Sequence, residues 1–227
     1  MFEIIPVLDL MNNIAVSGQS GNRSQYKPLE TIYSDYPNPV SIAQSLKLNN
    51  ANQIYIADLD AIESNGNNLE SVSQVNILLP VILDCGVSSF ESFSFALNYA
   101  QKVIVPTETV NDLETIYKIF DTYPKERIVL SIDVKNNELY SKNIDLSLEQ
   151  LEKELTHIAP EEIILLDITQ VGTNKGFNKK LIEQFQNHKK NIILGGGITP
   201  TQIQELKKIG IKKALVGTAL HNGTIKI

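Results

Sequence analysis

Eight short apolar segments recur along the chain of 227 residues, and amphipathic segments separate them. Each segment is at most eight residues long, rich in Ile, Val and Leu, and apolar on both faces, as strands of a doubly covered parallel sheet are. The predicted strands are Glu3–Leu10, Gln53–Asp58, Pro80–Asp84, Lys102–Pro106, Arg127–Val134, Glu162–Asp167, Asn191–Gly195 and Lys212–Gly217. The predicted helices between them include Pro39–Leu48, Phe90–Tyr99, Leu113–Thr122, Leu148–His157 and Pro200–Ile209. This alternation predicts a (β/α)₈ TIM barrel. A doubly wound open sheet is the alternative, but no glycine-rich turn follows the first strand.

Four of the segments in the first half of the chain return, in the same order, in the second half. The matching stretches are residues 7–13 and 131–137, 54–59 and 163–168, 81–87 and 192–198, and 103–107 and 214–218. The first pair is 124 positions apart and the others are 109 to 111 apart, so a longer loop follows the first strand. We expect two half-barrels, about residues 1–122 and 123–227. Because a half-barrel alone leaves two open sheet edges, the whole chain 1–227 is predicted to be a single domain.

Composition excludes several classes of protein. The formal net charge is −6 and only two arginines occur, which disfavours a nucleic-acid partner. The single Cys85 and three widely spaced histidines give no recognisable metal-ligand spacing, so we expect no metal and no cofactor. The longest apolar run, residues 77–83, is far shorter than the roughly 20 residues of a membrane span. We therefore expect a cytoplasmic protein without a membrane partner.

Two aspartates end matching strands of the two repeats. Asp9 ends the first predicted strand, and Asp133 ends the fifth, which places them opposite each other at the barrel mouth. Function in such barrels lies at the carboxyl ends of the strands. Two facing carboxylates divide acid and base roles when their environments separate their pKa values. The alternative is that each aspartate only caps the turn that follows it.

Glycines follow the last two predicted strands. They are Gly195, Gly196 and Gly197 after the seventh strand and Gly217, followed by Thr218, after the eighth. Loops at these two places commonly bind phosphate through backbone N–H groups, and glycine lets the backbone approach closely. Tight turns without a ligand are the alternative.

The first repeat departs from this pattern. Asp84 stands where the second repeat has Gly195, and Pro106 stands where it has Gly217. The carboxylate would repel a phosphate, and proline has no N–H to donate. The sequence therefore predicts one phosphate site rather than two.

The long loop after the first strand is another candidate for ligand contact. Arg23 and Lys27 flank Tyr26 in a stretch rich in Gly, Ser and Asn. Such a loop could close over a ligand, with Arg23 binding an anion. Equally, its charges could serve solubility alone. A carboxylate metal site made by Asp58, Asp60 and Asp167 is a remote alternative.

Several of these motifs together resemble the HisA/HisF family of histidine-biosynthesis barrels over essentially the whole chain. They are residues 5–10 (IPVLDL), 58–61 (DLDA), 195–198 (GGGI) and 216–220 (VGTAL). The resemblance implies Asp9 as base and Asp133 as acid in an Amadori-type rearrangement of a phosphorylated ribosylamine. Residues 21–28 (GNRSQYKP) are instead similar to a less characterised HisA/HisF-related group of methanogens and methylotrophs.

Three further positions differ from what the resemblance to the isomerase leads us to expect. Ser17 replaces an Arg, Leu166 replaces a Thr, and Val171 replaces an Asp before Gly172 and Thr173, which we include as candidate substrate-loop residues. We therefore favour a paralogue, an isomerase or lyase acting on a small metabolite with one phosphate. The histidine-pathway ribotide isomerase and a non-catalytic phosphate-ligand-binding barrel remain the alternatives.

The chain has no room for a full outer helix after the eighth strand. It ends ten residues past Gly217, whereas a typical helix alone needs about 11 residues. We therefore expect the outer faces of the first and eighth strands to be partly uncovered, and such apolar patches favour a homodimer or tetramer.

Overall fold

The computed structural model describes residues 2–17, 26–170 and 177–227, and these contain eleven strands. In chain order the strands are β1 (Glu3–Met11), β2 (Ile14–Ser17), β3 (Lys27–Pro28), β4 (Ile54–Asp58), β5 (Val81–Asp84), β6 (Lys102–Pro106), β7 (Ile128–Lys135), β8 (Glu138–Leu139), β9 (Ile163–Asp167), β10 (Ile192–Gly195) and β11 (Lys213–Val216). Eight of them pair in parallel in the order β1, β4, β5, β6, β7, β9, β10, β11. Parallel pairing of β11 with β1, with Ile5 opposite Leu215, closes the ring. The predicted (β/α)₈ barrel is confirmed, and the open-sheet alternative is wrong because the two edge strands pair.

The helices in the described residues connect the barrel strands. They are α1 (Pro39–Leu48), α2 (Leu59–Ile62), α3 (Leu69–Leu78), α4 (Phe90–Ala96), α5 (Leu113–Thr122), α6 (Leu148–Ile158), α7 (Lys179–Gln184), α8 (Pro200–Ile209) and α9 (Thr218–His221). Prediction and structure agree on α1, α5 and α8. The side chains at their starts explain this: Asn38 and Asp112 accept from backbone N–H groups, and Thr199 forms a capping box.

Helix α4 is shorter than the predicted Phe90–Tyr99. It ends at Ala96 because the side-chain amide of Asn98 donates to the carbonyl oxygens of Ser94 and Phe95, which satisfies the last turn locally.

No helix in the described part of the chain is both long enough and apolar enough to span a membrane.

Two apolar layers explain why the strands are hydrophobic on both faces. The inner layer fills the barrel with one side chain from each of seven strands: Ile5, Ile82, Ile104, Val129, Ile164, Ile193 and Leu215. The outer layer packs the other face of the strands against the helices. At the amino end of the strands the inner layer gives way to a closed ring of polar side chains.

This polar ring consists of Glu3, Gln53, Lys102, Glu162 and Lys213. Glu162 binds Lys102 and Lys213, with N···O distances of 2.6 Å to each. Lys213 also lies 3.6 Å from Glu3, whose carboxylate accepts from the Gln53 amide at 2.9 Å. Lys102 completes the ring by donating to Gln53 at 3.5 Å. The ring therefore covers the end of the barrel opposite the predicted site.

Matching hairpins follow the first strand of each repeat. Asn12 and Asn13 join β1 to the antiparallel β2 with φ of 51° and 62°, and Asn136 and Asn137 join β7 to β8 with φ of 55° and 66°. Positive φ at both central residues is typical of a type I′ turn, which asparagine tolerates. The identical turns support the division into two half-barrels, which stays a prediction.

The outer faces of β1 and β11 are covered, contrary to the expectation. Leu8, Ala214 and Val216 are at most 2% exposed. They share an apolar cluster with Leu220 and Ile225 from the short segment after β11. Helix α9 and the residues after it cover these faces in place of a full eighth helix, and the homodimer or tetramer stays a prediction without this support.

Candidate active site

A cavity of about 530 Å³ opens at the carboxyl ends of the barrel strands. Asp9 and the five predicted phosphate residues, Gly195, Gly196, Gly197, Gly217 and Thr218, all line it. Apolar side chains form much of the remaining wall, among them Val7, Ile164, Leu166 and Leu215. One predicted carboxylate and the whole predicted phosphate site therefore line the same cavity. We call the five residues of that site, Gly195, Gly196, Gly197, Gly217 and Thr218, the glycine cradle.

The glycine loop after β10 has a conformation that side chains rarely adopt. Gly196 and Gly197 have φ of 101° and 63°, in the left-handed region that favours glycine. At Gly195 a methyl group would lie 2.7 Å from Cδ1 of Leu166, so that side chain would have to turn away. At Gly217 a methyl group would meet only Cβ of Val7, at 3.7 Å. Packing does not demand glycine at position 217, whereas approach of a ligand to the backbone would.

Asp9 lies at the level where β1 pairs with β4, opposite Ala57. Its side chain is partly exposed and reaches the cavity. Asp133 lies four strands further round the barrel, on β7, in register with Leu166. The two carboxylates therefore belong to opposite sides of the mouth.

Asp133 is more enclosed than Asp9. It is 6% exposed, and it is not among the described residues that line the cavity. The Ser131 hydroxyl donates to its carboxylate at 3.2 Å. Burial, followed by the negative charges of Asp84 and Glu108, raises the pKa of Asp133 to about 7, although hydrogen bonds from Ser131 and the Glu108 backbone partly oppose the rise. This carboxyl group therefore keeps its proton to a higher pH than an ordinary aspartate does.

Tyr55 is a central residue of the site that the sequence did not reveal. Its ring lines the cavity, and its hydroxyl donates to Asp84 at 3.2 Å. Burial, followed by the charges of Asp84, Asp9 and Asp133, raises its pKa well above the ordinary value for tyrosine. Tyr55 therefore stays neutral and lies among three carboxylates. A tyrosine within an apolar strand is ordinary in sequence, so only the fold shows its role.

His221 fixes the cavity wall formed by α9. Its Nε2 lies 2.8 Å from the carbonyl oxygen of Val7, and its Nδ1 lies 2.9 Å from the hydroxyl of Thr31. Burial lowers the pKa of His221, and the hydrogen bond to Val7 opposes this only in part. The neutral ring therefore connects α9, β1 and the segment after β3.

The predicted loop residues are only partly described. Lys27 lines the cavity from β3, together with Pro28, and Tyr26 packs against the apolar cluster of Val16, Ala57 and Leu59. Arg23, Gly172 and Thr173 lie outside the described residues.

The aspartates considered for a metal site serve the fold instead. Asp58 accepts from the backbone N–H and the side-chain amide of Asn68 at 2.7 and 2.6 Å. Asp60 accepts from the same amide at 3.0 Å and from the Asn12 N–H at 2.7 Å, which fixes the β1–β2 turn. The Thr169 N–H donates to Asp167 at 3.0 Å. Within the described ranges no three acidic, His or Cys side chains cluster as metal ligands would.

The fold and this cavity define a barrel protein of the histidine biosynthesis protein family, whose model matches residues 3–226, and the chain belongs to that family. Its relatives include an uncharacterized protein of Methanocaldococcus jannaschii, 36% identical over 99% of this chain and 96% of that protein. The chain is also 28% identical to the 1-(5-phosphoribosyl)-5-((5-phosphoribosylamino)methylideneamino) imidazole-4-carboxamide isomerase of Oceanobacillus iheyensis, over 99% and 95% of the two chains. The isomerase of the same name from Cenarchaeum symbiosum is 25% identical over 99% and 97%.

Proposed function

We propose that this protein is a cytoplasmic isomerase or lyase that acts on a small metabolite carrying one phosphate, with Asp9 as the general base and Asp133 as the general acid. The observation that carries the proposal is the cavity in which Asp9 and the glycine loops of β10 and β11 meet. A phosphate bound by these loops would hold the rest of the substrate against Asp9.

The environments of the two aspartates support their different roles. Asp9 is partly exposed to the cavity, as a base must be to reach substrate. The pKa of Asp133, raised to about 7 by burial and by neighbouring carboxylates, keeps a proton available for donation near neutral pH. Asp133 is 6% exposed and is not among the described residues of the cavity wall, so proton donation requires a conformational change that brings its carboxyl group to the substrate.

The histidine-pathway reaction is the second candidate, because two isomerases that carry its name match the chain over nearly their full length. The isomerase assay with the bisphosphorylated histidine-pathway ribotide separates the two. We expect turnover below roughly 1 s⁻¹, the low end of ordinary enzymes. Faster turnover would contradict the one-phosphate proposal and establish the second candidate.

Proton chemistry on singly phosphorylated substrates is tested by deuterium exchange. The protein is incubated in D₂O with a panel of aldose and ketose monophosphates, and deuterium at carbon is followed by mass spectrometry. We expect exchange with a panel member, and we expect Asp9→Asn and Asp133→Asn to abolish it while inorganic phosphate still binds. Phosphate binding without exchange or turnover in any form would instead favour the non-catalytic binder.

A further inference from the structure

The two repeats place equivalent loops on opposite sides of the mouth, but only one of them faces the cavity. Gly86 corresponds to Gly197, and the backbone is alike at both, with φ of 69° and 63°. Gly197 lines the cavity, whereas Gly86 does not appear among the described residues of its wall. The first loop has therefore kept its glycine conformation although it lies outside this cavity.

A carboxylate of the protein itself occupies the first loop. Asp84, which takes the place of Gly195, accepts from the Gly86 N–H through Oδ1 at 3.1 Å. Its other oxygen, Oδ2, accepts from the Tyr55 hydroxyl at 3.2 Å. The amide that a bound phosphate would use therefore already has an anionic acceptor, and Tyr55 holds that acceptor in place.

The neighbouring strand end is closed in the same way. Thr107, which corresponds to Thr218, is fully buried. Its N–H donates to the carbonyl oxygen of Ser131 at 2.9 Å, and its hydroxyl oxygen accepts from the Asp133 N–H at 3.1 Å. Pro106, in the place of Gly217, has no N–H. In the first repeat, the N–H groups of Gly86 and Thr107, equivalent to those of Gly197 and Thr218, thus already have acceptors within the protein.

We infer that Tyr55 and Asp84 determine substrate specificity by filling the first-repeat loop with an internal anion, so that the enzyme accepts a phosphomonoester and rejects a substrate with a second phosphate. This inference rests on the proposed function for the location of the accepted phosphate. A second phosphate would need the Gly86 N–H and would lie beside the Asp84 carboxylate, which repels it. The far end of an accepted substrate instead meets the ring of Tyr55, Asp9 and the apolar wall of Val7, Ile164 and Leu166.

Backbone amide resonances measured during titration with inorganic phosphate test this inference. In the wild-type protein we expect saturable shifts at Gly196 and Gly197 and none at Gly86. In Asp84→Gly, which gives the first repeat the residue found at position 195, we expect Gly86 to shift as well. At Gly86 we expect phosphate to bind at least about tenfold more tightly in Asp84→Gly than in the wild-type protein, the factor that corresponds to one hydrogen bond to a charged group.

Two further variants distinguish the effect of the hydrogen bond that Asp84 accepts from Gly86 from the effect of the Asp84 charge. Asp84→Asn removes the charge but keeps an oxygen that can accept from the Gly86 N–H, so we expect phosphate to cause no shift of the Gly86 resonance. Tyr55→Phe removes only the donor to Oδ2, and we expect a weaker response at Gly86 than in Asp84→Gly. Circular dichroism and thermal unfolding show that each variant is folded.

The outcomes of this titration distinguish the inference from the proposed function. A phosphate-dependent shift at Gly86 in the wild-type protein, or none in Asp84→Gly, overturns the inference. If phosphate shifts neither Gly196 nor Gly197 in the wild-type protein or in any variant, the proposed glycine cradle is contradicted instead. The inference on Asp84 is still decided in that case, because it compares Gly86 between the wild-type protein and the variant.

Discussion

His221 Nε2 donates a hydrogen bond of 2.8 Å to the carbonyl oxygen of Val7, and this contact joins α9 to β1. Because a carbonyl oxygen can only accept, Nε2 must carry the proton of the neutral ring. The lone pair of Nδ1 then accepts from the Thr31 hydroxyl at 2.9 Å. The helix that follows Gly217 is thus held against the strand that carries Asp9, which fixes two walls of the cavity relative to each other.

Removal of this imidazole should destabilise the protein. In His221→Ala, Val7 and Thr31 lose their partners inside a site where His221 is 4% exposed. We expect the free energy of unfolding to fall by about 2–4 kcal/mol, because buried polar groups left without hydrogen bonds are costly. Urea denaturation measures the change. His157→Ala, at an exposed position on α6, is the control. An equal loss of unfolding free energy in this control would show that the two hydrogen bonds of His221 do not cause the effect.

The raised pKa of Asp133 predicts a specific pH dependence of stability. Its pKa is about 7 in the folded protein and near 3.8 in the unfolded chain. The folded state therefore binds this proton more tightly, and the resulting stabilisation is present below pH 4 and lost as pH rises through 7. The wild-type protein loses this stabilisation between pH 4 and pH 8, whereas Asp133→Asn has no carboxyl group to titrate. The free energy of unfolding of Asp133→Asn, relative to that of the wild-type protein, should therefore increase by up to roughly 4 kcal/mol over this range. Urea denaturation across this range measures it, and a difference that does not change with pH would refute it.

Asp84 should be one cause of that raised pKa. In Asp84→Asn one of the two neighbouring negative charges disappears, so we expect the pKa of Asp133 to fall by about one unit. Titration of the Asp133 carboxyl carbon by ¹³C NMR measures the pKa without a substrate. Asp112→Asn is the matched control, because it removes an equal charge at the start of α5 and keeps a side chain that can cap the helix. An equal shift in the control would assign the effect to net charge.

Glu162 should stabilise the barrel at neutral pH but not in acid. Burial alone would raise its pKa, but hydrogen bonds and charges from Lys102 and Lys213 outweigh burial and lower it. The stabilisation is therefore present above the ordinary pKa of a glutamate and is lost as pH falls through the lowered value. We expect Glu162→Gln to cost about 1–3 kcal/mol at pH 7. Urea denaturation at pH 7 and pH 3 should show this cost shrinking in acid, and a constant cost would contradict the ion pairs.

Gly217 offers a test of the cradle that leaves the fold intact. A methyl group there would make only an ordinary contact with Val7, so we expect Gly217→Ala to unfold within about 1 kcal/mol of the wild-type protein. Phosphate affinity, measured by the amide titration, should fall at least about tenfold because the ligand can no longer approach the backbone. Unchanged affinity would show that the phosphate does not touch this loop.

The barrel could be predicted because its signals are local and repeated: short strands apolar on both faces, with helix caps between them. The asymmetry of the two loops was also readable, since Asp84 and Pro106 break an internal repeat. The role of Tyr55 and the contact of His221 with Val7 could not be recognised, because the partners lie 29 and 214 positions away in the chain. The prediction that the outer faces of β1 and β11 are partly uncovered was wrong. The segment after β11 is too short for a full helix, but it packs Leu220 and Ile225 against these strands.

The polar ring at the amino end of the strands has a consequence for how the barrel forms. Glu3, Gln53 and Lys102 come from the first repeat, and Glu162 and Lys213 come from the second. A half-barrel would keep the pair of Lys213 and Glu162 but would leave Lys102 and Glu3 without their ionic partners from the other repeat, and a partly dehydrated charge without a partner is costly. The two ion pairs that join the repeats, Lys102 with Glu162 and Lys213 with Glu3, can form only when both half-barrels are in place. We therefore expect a partly closed barrel to be less stable than the closed one, and we expect the two repeats to unfold together.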